Sequence, residues 1–225
     1  MLLIVRHRTM RLTAALAVVG IALAVVGNAA QRPGLAQQTV LLVGGSLGAV
    51  AGSRLLAPGA ALVAAWRSAS PSWLPSVGRL AGAALLVAPA VGLASVALVG
   101  PATDWRATLQ LAFVGWTYST AIAAVTLAAS PFLGASVSGA LGLLAVWFGG
   151  IPPSAMAELF GHWIYVQRPI VLLWNALPLG WRASRWLHQA ELGDALVLGT
   201  WIVLGVVLGA WGAVQVALVQ DHRSG

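Results

Sequence analysis

The chain has 225 residues, 60% of them hydrophobic and only 8% charged, with a formal net charge of +7. An ordinary soluble domain is about 25% charged, so this chain has too little polar surface to cover a water-exposed globule, and lipid is the expected solvent. All 12 basic residues are arginine and cysteine is absent, which excludes a disulfide frame, a thiolate metal site, a lysine Schiff base and the lysine-bearing phosphate loop of an ATPase.

A helix crosses a bilayer with about 20 mostly apolar residues, and these runs lack the two-residue alternation of a barrel strand. The first expected span covers residues 12–30. RHRTMR before it and GNAA near its end give it the layout of a signal peptide; we read it as a retained span. Further spans are expected at 39–56, 81–100, 108–129, 132–150 and 195–219. The fold class is therefore an all-α integral membrane protein, one transmembrane domain over residues 1–225. It has six helices and a segment of short re-entrant or interfacial helices between spans five and six.

Arginine bias sets the orientation. With the N-terminus in the cytoplasm, Arg6, Arg8, Arg11, Arg54, Arg67, Arg79 and Arg223 lie inside, and Arg32, Arg106, Arg168, Arg182 and Arg185 lie outside. An even span number puts both termini in the cytoplasm. The arginines stand in ones and twos between apolar runs, the pattern of span flanks, and no nucleic-acid partner is expected.

Two connecting segments stand out. Residues 57–80, APGAALVAAWRSASPSWLPSVGRL, follow span two on the cytoplasmic side. Residues 151–193 hold an apolar piece too short to cross, bounded by Pro169 and Pro178. Here Trp163, Tyr165, Trp174, Trp181 and Trp186 suit the headgroup level. In GGSLGAVAG, Gly44, Gly48 and Gly52 share one helix face, and Gly205 and Gly209 repeat the spacing. Such faces let helices approach closely, within one chain or between subunits.

The polar inventory is thin. Asp104, Glu158, Glu191, Asp194 and Asp221 all fall at or beyond span ends, so a carboxylate proton relay is not expected. No histidine falls inside a span, which leaves Ser46 without a base; Ser46 reads as a small packing residue. Glu158 and His162, four apart, with His188 and Glu191 nearby, read as surface groups. No catalytic, cofactor or metal residue is expected.

The order of residues in 57–80 resembles the permease subunits of type-2 ATP-binding-cassette exporters. In that family a cytoplasmic segment after the second span carries an arginine, a glycine, a short leucine-bearing helix, a proline-serine turn and a glycine-basic pair. Arg54, Gly59, Leu62, Pro71, Ser72, Gly78 and Arg79 match it. The six spans, the short turn SPFLGAS between spans four and five, and WNALPLGWRASRW before the last span are similar to the family too. The chain departs from the pattern at Ser53, where an acidic residue is usual, and in the wholly apolar residues 60–65.

The resemblance implies that a separate ATPase subunit binds ATP and magnesium and pushes the short helix around Leu62, Trp66 and Arg67, tilting the attached spans. Arg67 would pair with a partner carboxylate, and no cofactor would sit in this chain. A second permease, identical or different, would complete a dimer in the membrane lipid. Trp116, Thr117 and Tyr118 are candidate path-lining residues. Trp174, Asn175, Pro178 and Trp181 belong to the expected re-entrant segment. The substrate would be hydrophobic or amphipathic, and the location the cytoplasmic membrane of a bacterium. The alternative is a non-transporting integral subunit that anchors or assembles a larger membrane complex.

Overall fold

A computed structural model describes residues 18, 21–22, 33–54, 74–99, 105–161 and 163–224. Among the described residues there is no strand. The helices are α1 (Pro33–Arg54), α2 (Leu74–Val99), α3 (Trp105–Phe148), α4 (Pro153–Leu159), α5 (Ile164–Ala176), α6 (Gly180–Gln189) and α7 (Leu192–Ser224). Four of them, α1, α2, α3 and α7, are long and apolar enough to cross a membrane. Large apolar side chains such as Leu85, Leu93, Leu144, Trp147, Val203 and Trp211 are exposed on their outer faces. A soluble monomer does not present apolar surface on this scale; the chain fits a membrane protein.

The expected span 12–30 lies outside the described residues except for 18, 21 and 22, which are helical, and Ile21 packs against the buried core. The other helices overlap the expected spans with shifted ends. α1 starts earlier than residue 39, with Pro33 at its first position, where its fixed φ suits a helix start. α7 starts at Leu192, ahead of residue 195, and brings Asp194 into its first turn.

The 44 residues of α3 form two arms. The break is at Gly134, with φ 78 and ψ 158. That backbone region is open essentially to glycine alone. The turn therefore falls after Pro131, which stays within the first arm, and inside the stretch SPFLGAS, residues 130–136, where the sequence placed it. The arms fold back on each other: Gly142 packs against Thr126, and Val146 and Tyr118 both close on Gly45. The first arm has about 29 residues and spans roughly 43 Å; the second has about 14 and spans roughly 21 Å.

A Cβ at Gly134 would meet no other atom within 4 Å. Gly134→Ala thus isolates backbone strain from crowding, and it should destabilise the protein by about 1–3 kcal/mol. The midpoint of heat unfolding in detergent reads this out; an unchanged midpoint would mean that the hairpin tolerates another turn.

Close contacts fix the helix directions. α1 runs parallel to the first arm, since Gly44 and Gly48 meet Ser119 and Gly52 meets Ala123 and Thr126. α7 also runs parallel to it, with Gly205 at Ala124 and Gly212 at Pro131. The glycine face of α1 is therefore used inside the chain. α2 ends at residue 99 and α3 begins at 105. Six Cα steps reach at most about 23 Å, far less than the first arm's length, so α2 ends near the start of α3 and runs antiparallel to it. We call this the upper end; it also carries α4, α5 and α6. The lower end holds the C-terminus of α1, the start of α2 and the Gly134 turn.

Candidate functional site

The most polar place in the described structure is where α6 enters the bundle at the upper end. α6 is strongly amphipathic: Gly180, Trp181, Arg182 and Ala183 are buried, while His188 and Gln189 are exposed. Its first turn docks on the end of α3, the Trp181 amide donating to the Gly149 carbonyl at 2.8 Å. Gln37 Nε2 on α1 donates to Ser184 Oγ at 2.7 Å. Gln110 Nε2 on the first arm donates to the Leu187 carbonyl at 3.3 Å.

An ion-pair cluster joins α6 to α7. Asp194 is 0% exposed. Arg182 Nη1 reaches its Oδ1 at 2.6 Å, and Arg185 Nε reaches its Oδ2 at 2.6 Å. Arg185 Nη2 donates to Asp194 Oδ1 at 2.8 Å and lies 3.1 Å from Glu191 Oε2. Both guanidiniums lie against the Trp181 ring, 4.5 Å and 5.1 Å from its centroid. Arg182 Nη2 also donates to the Asn175 carbonyl of α5. A buried carboxylate is tolerated when paired and fully hydrogen-bonded. It also sits in the first turn of α7, where the exposed N–H groups favour an anion. The hydrogen bonds to Asp194 push the Arg185 guanidinium above its ordinary pKa, so its charge is fixed.

α4 and α5 form a peripheral pair. Gln167 Nε2 ties α5 to the Ala157 carbonyl at 2.9 Å. Trp174 Nε1 donates to the Ile151 carbonyl at 2.8 Å, and Trp201 Nε1 of α7 donates to the Ala176 carbonyl at 2.6 Å. Asn175 Nδ2 returns to the Val171 carbonyl at 2.9 Å. Trp163 and Tyr165 are exposed, whereas Trp181 is buried and is a packing platform. Pro178 is buried in the turn before α6.

Of the expected coupling residues, Gly59, Leu62, Trp66, Arg67 and Pro71 lie outside the described residues. Arg54 closes α1, and Arg79 lies in the first turns of α2. Both helix ends that flank residues 55–73 belong to the lower end. Trp116, Thr117 and Tyr118 do not share a wall. Successive helical residues are turned by about 100°. Trp116 Nε1 donates to the Ala84 carbonyl of α2 at 3.0 Å, the Thr117 hydroxyl bonds back to the Phe113 carbonyl at 2.9 Å, and Tyr118 points inward.

Reading the sequence missed the Arg182–Asp194 pair, because the arginines counted as outside flanks and Asp194 as a residue beyond a span. The available signal was two arginines three apart on a short amphipathic helix, followed closely by an acid at a helix start. Among the described residues no cluster of three or more His, Cys, Asp or Glu side chains has the placing of a metal site. Comparisons with family models, curated proteins and solved structures find no match for this chain.

Proposed function

We propose that the chain is the membrane-embedded permease subunit of an ATP-binding-cassette exporter. It moves a hydrophobic or amphipathic substrate out across the cytoplasmic membrane of a bacterium. A separate ATPase subunit binds ATP and magnesium and drives it, and a second permease completes the dimer.

One observation carries this reading. The short helices α4, α5 and α6 gather at the upper end, whereas both helix ends that flank residues 55–73 lie at the lower end. An exporter driven from one side needs this separation: a docking segment on the cytoplasmic face, and short helices that close the path on the other. Rigid helices joining the two ends transmit the push. The ATPase does work on the path only through contacts that differ between its open and closed states.

Arg67 is assigned the docking contact. Its planar guanidinium suits bidentate pairing with a partner carboxylate, a geometry that lysine does not reproduce. Arg67→Glu should cut the ATP turnover of the purified complex at least about tenfold, the scale expected for reversing a hydrogen-bonded interfacial charge. Arg67→Lys should cut it less. Turnover indifferent both to Arg67→Glu and to replacement of residues 60–67 would contradict the assignment.

A further inference from the structure

The second arm of α3 is too short to cross a bilayer alone: it spans roughly 21 Å against a hydrocarbon core of about 30 Å. Its last carbonyls would end inside hydrocarbon, where each backbone polar group needs a partner within the protein. α6 meets that end. The Trp181 amide donates to the Gly149 carbonyl at 2.8 Å. A Cβ on Gly149 would lie 3.2 Å from the Gly180 nitrogen. No side chain caps the N-terminus of α6; the carbonyl end of the arm takes that place, and the two helix dipoles meet head to tail.

The two helices also point the same way. Gly142 of the second arm packs on Thr126 of the first. Gly180 of α6 faces the Tyr118 hydroxyl, Trp186 stands edge-on to Phe113 with ring centroids 5.9 Å apart, and the Leu187 carbonyl accepts from Gln110 Nε2. The partners on the first arm thus climb from 126 to 110 as the chain passes from the second arm into α6. With the 10 residues of α6 added, the crossing reaches about 36 Å. Residues 150–179, which include α4 and α5, leave at the break and return to it.

The break has the makings of a joint. Glycine stands on both sides, at Gly149, Gly150 and Gly180. Among the described residues one backbone hydrogen bond bridges it, where an unbroken helix carries one at every residue. The Trp181 indole N–H and the Arg182 Nε–H on the first turn of α6 have no partner in the protein, and neither has the Tyr118 hydroxyl that faces this turn. Unpaired buried donors are costly, so α6 sits here at a cost, which its ion pairs with Asp194 offset.

We propose that the second arm of α3 and α6 are the two halves of one split membrane span, and that α6 tilts on the break between them unless Arg182 and Arg185 hold it to Asp194. In the held position α6 touches the upper ends of α1, the first arm and α7 through Gln37, Gln110 and Asp194. Tilting withdraws it from all three and uncovers that end of the bundle. The device stands on the contacts of α6, whether or not an ATPase drives the chain.

The test measures distances between pairs of spin labels on the full chain in detergent. The chain has no cysteine of its own, so introduced ones carry the labels. Leu141→Cys with Gln189→Cys reports across the break, and Leu109→Cys with Leu141→Cys is the control within α3; all three sites are exposed. Collinear halves place the 141 and 189 labels roughly 25–30 Å apart, whereas an α6 folded back along the arm brings them within roughly 15 Å. Arg185→Gln removes both bonds from that side chain to Asp194. It should add a second distance between 141 and 189 and leave the control pair single. Should it fail to fold, Arg185→Lys, which keeps the charge but loses the forked geometry, gives the same comparison. Tyr118→Phe removes one unpaired donor and should raise the heat-unfolding midpoint by roughly 2–8 °C.

A short distance between 141 and 189 in the wild type overturns the split span. A single, unchanged distance in the Arg185 variant overturns the joint, and so does broadening of both pairs, which marks general loosening. An unchanged or lower midpoint in Tyr118→Phe overturns the costly seat, as would be seen if a water satisfied the hydroxyl.

Discussion

Asp194→Asn should be among the most damaging single substitutions in the chain, lowering stability by about 3–5 kcal/mol. Asp194 is 0% exposed and its two carboxylate oxygens serve two guanidiniums. Asparagine keeps one acceptor oxygen and turns a donor towards a group that only donates. Arg182, buried on α6, is then left with an uncompensated charge, whereas Arg185 retains Glu191 and partial contact with the surroundings. The loss should appear as a lower unfolding midpoint in detergent.

The paired variant Asp194→Leu with Arg182→Met should recover much of the loss. Exchanging a whole buried ion pair for apolar side chains is often close to neutral, whereas removing one partner is not. If the single and paired variants are equally unstable, the cost arises from packing at the α6–α7 junction and not from the orphaned charge.

The second large effect is expected at the glycine face of α1. A Cβ at Gly48 would overlap the Ser119 backbone carbonyl, and one at Gly52 would overlap the Ala123 carbonyl and Thr126. At both positions a backbone carbonyl, of Ser119 or of Ala123, is among the obstacles, and it cannot rotate away as the Thr126 side chain can. Gly48→Ala should cost about 1–3 kcal/mol, and Gly48→Leu more. Gly92→Ala on α2 is the control: nothing lies within 4 Å of its Cβ. It should be neutral, or stabilising by about 0.5–1 kcal/mol through the lower entropy of alanine. A Gly48→Ala protein that keeps its unfolding midpoint but changes its oligomeric state would mean that the glycines pack subunits and not the monomer.

These two sites also show how far the sequence could be read. The glycine spacing at residues 44, 48 and 52 announced a close helix contact, because close approach in lipid requires small residues. It left open which helix would fill the groove; only the fold names Ser119 and Ala123. The long helices were legible because crossing a bilayer demands about 20 apolar residues in a row. Their ends were less so. SPFLGAS was legible as the turn between two spans, but not which of its residues breaks the helix: Pro131 stays in the first arm, and the turn falls where Gly134 supplies the conformation. Asp194 was misread for a related reason. Hydropathy treats an acid as a boundary marker, so a carboxylate buried between two arginines from another helix looks the same as one in water. Trp181 was assigned to the headgroup level by residue type, but its ring supports both guanidiniums. Its burial follows from the ion pair and could not be read without it.

The central claim is that this chain works as the permease of a separate ATPase, and purification from native membranes tests it most directly. The full chain, extracted in a mild detergent with an affinity tag, should bring down a partner that carries a Walker A motif, in near-stoichiometric amount. The complex should hydrolyse ATP, and the Arg67→Glu chain should recover less of that partner. A tagged chain that comes down as an abundant, folded complex with no ATP-hydrolysing subunit would contradict the account.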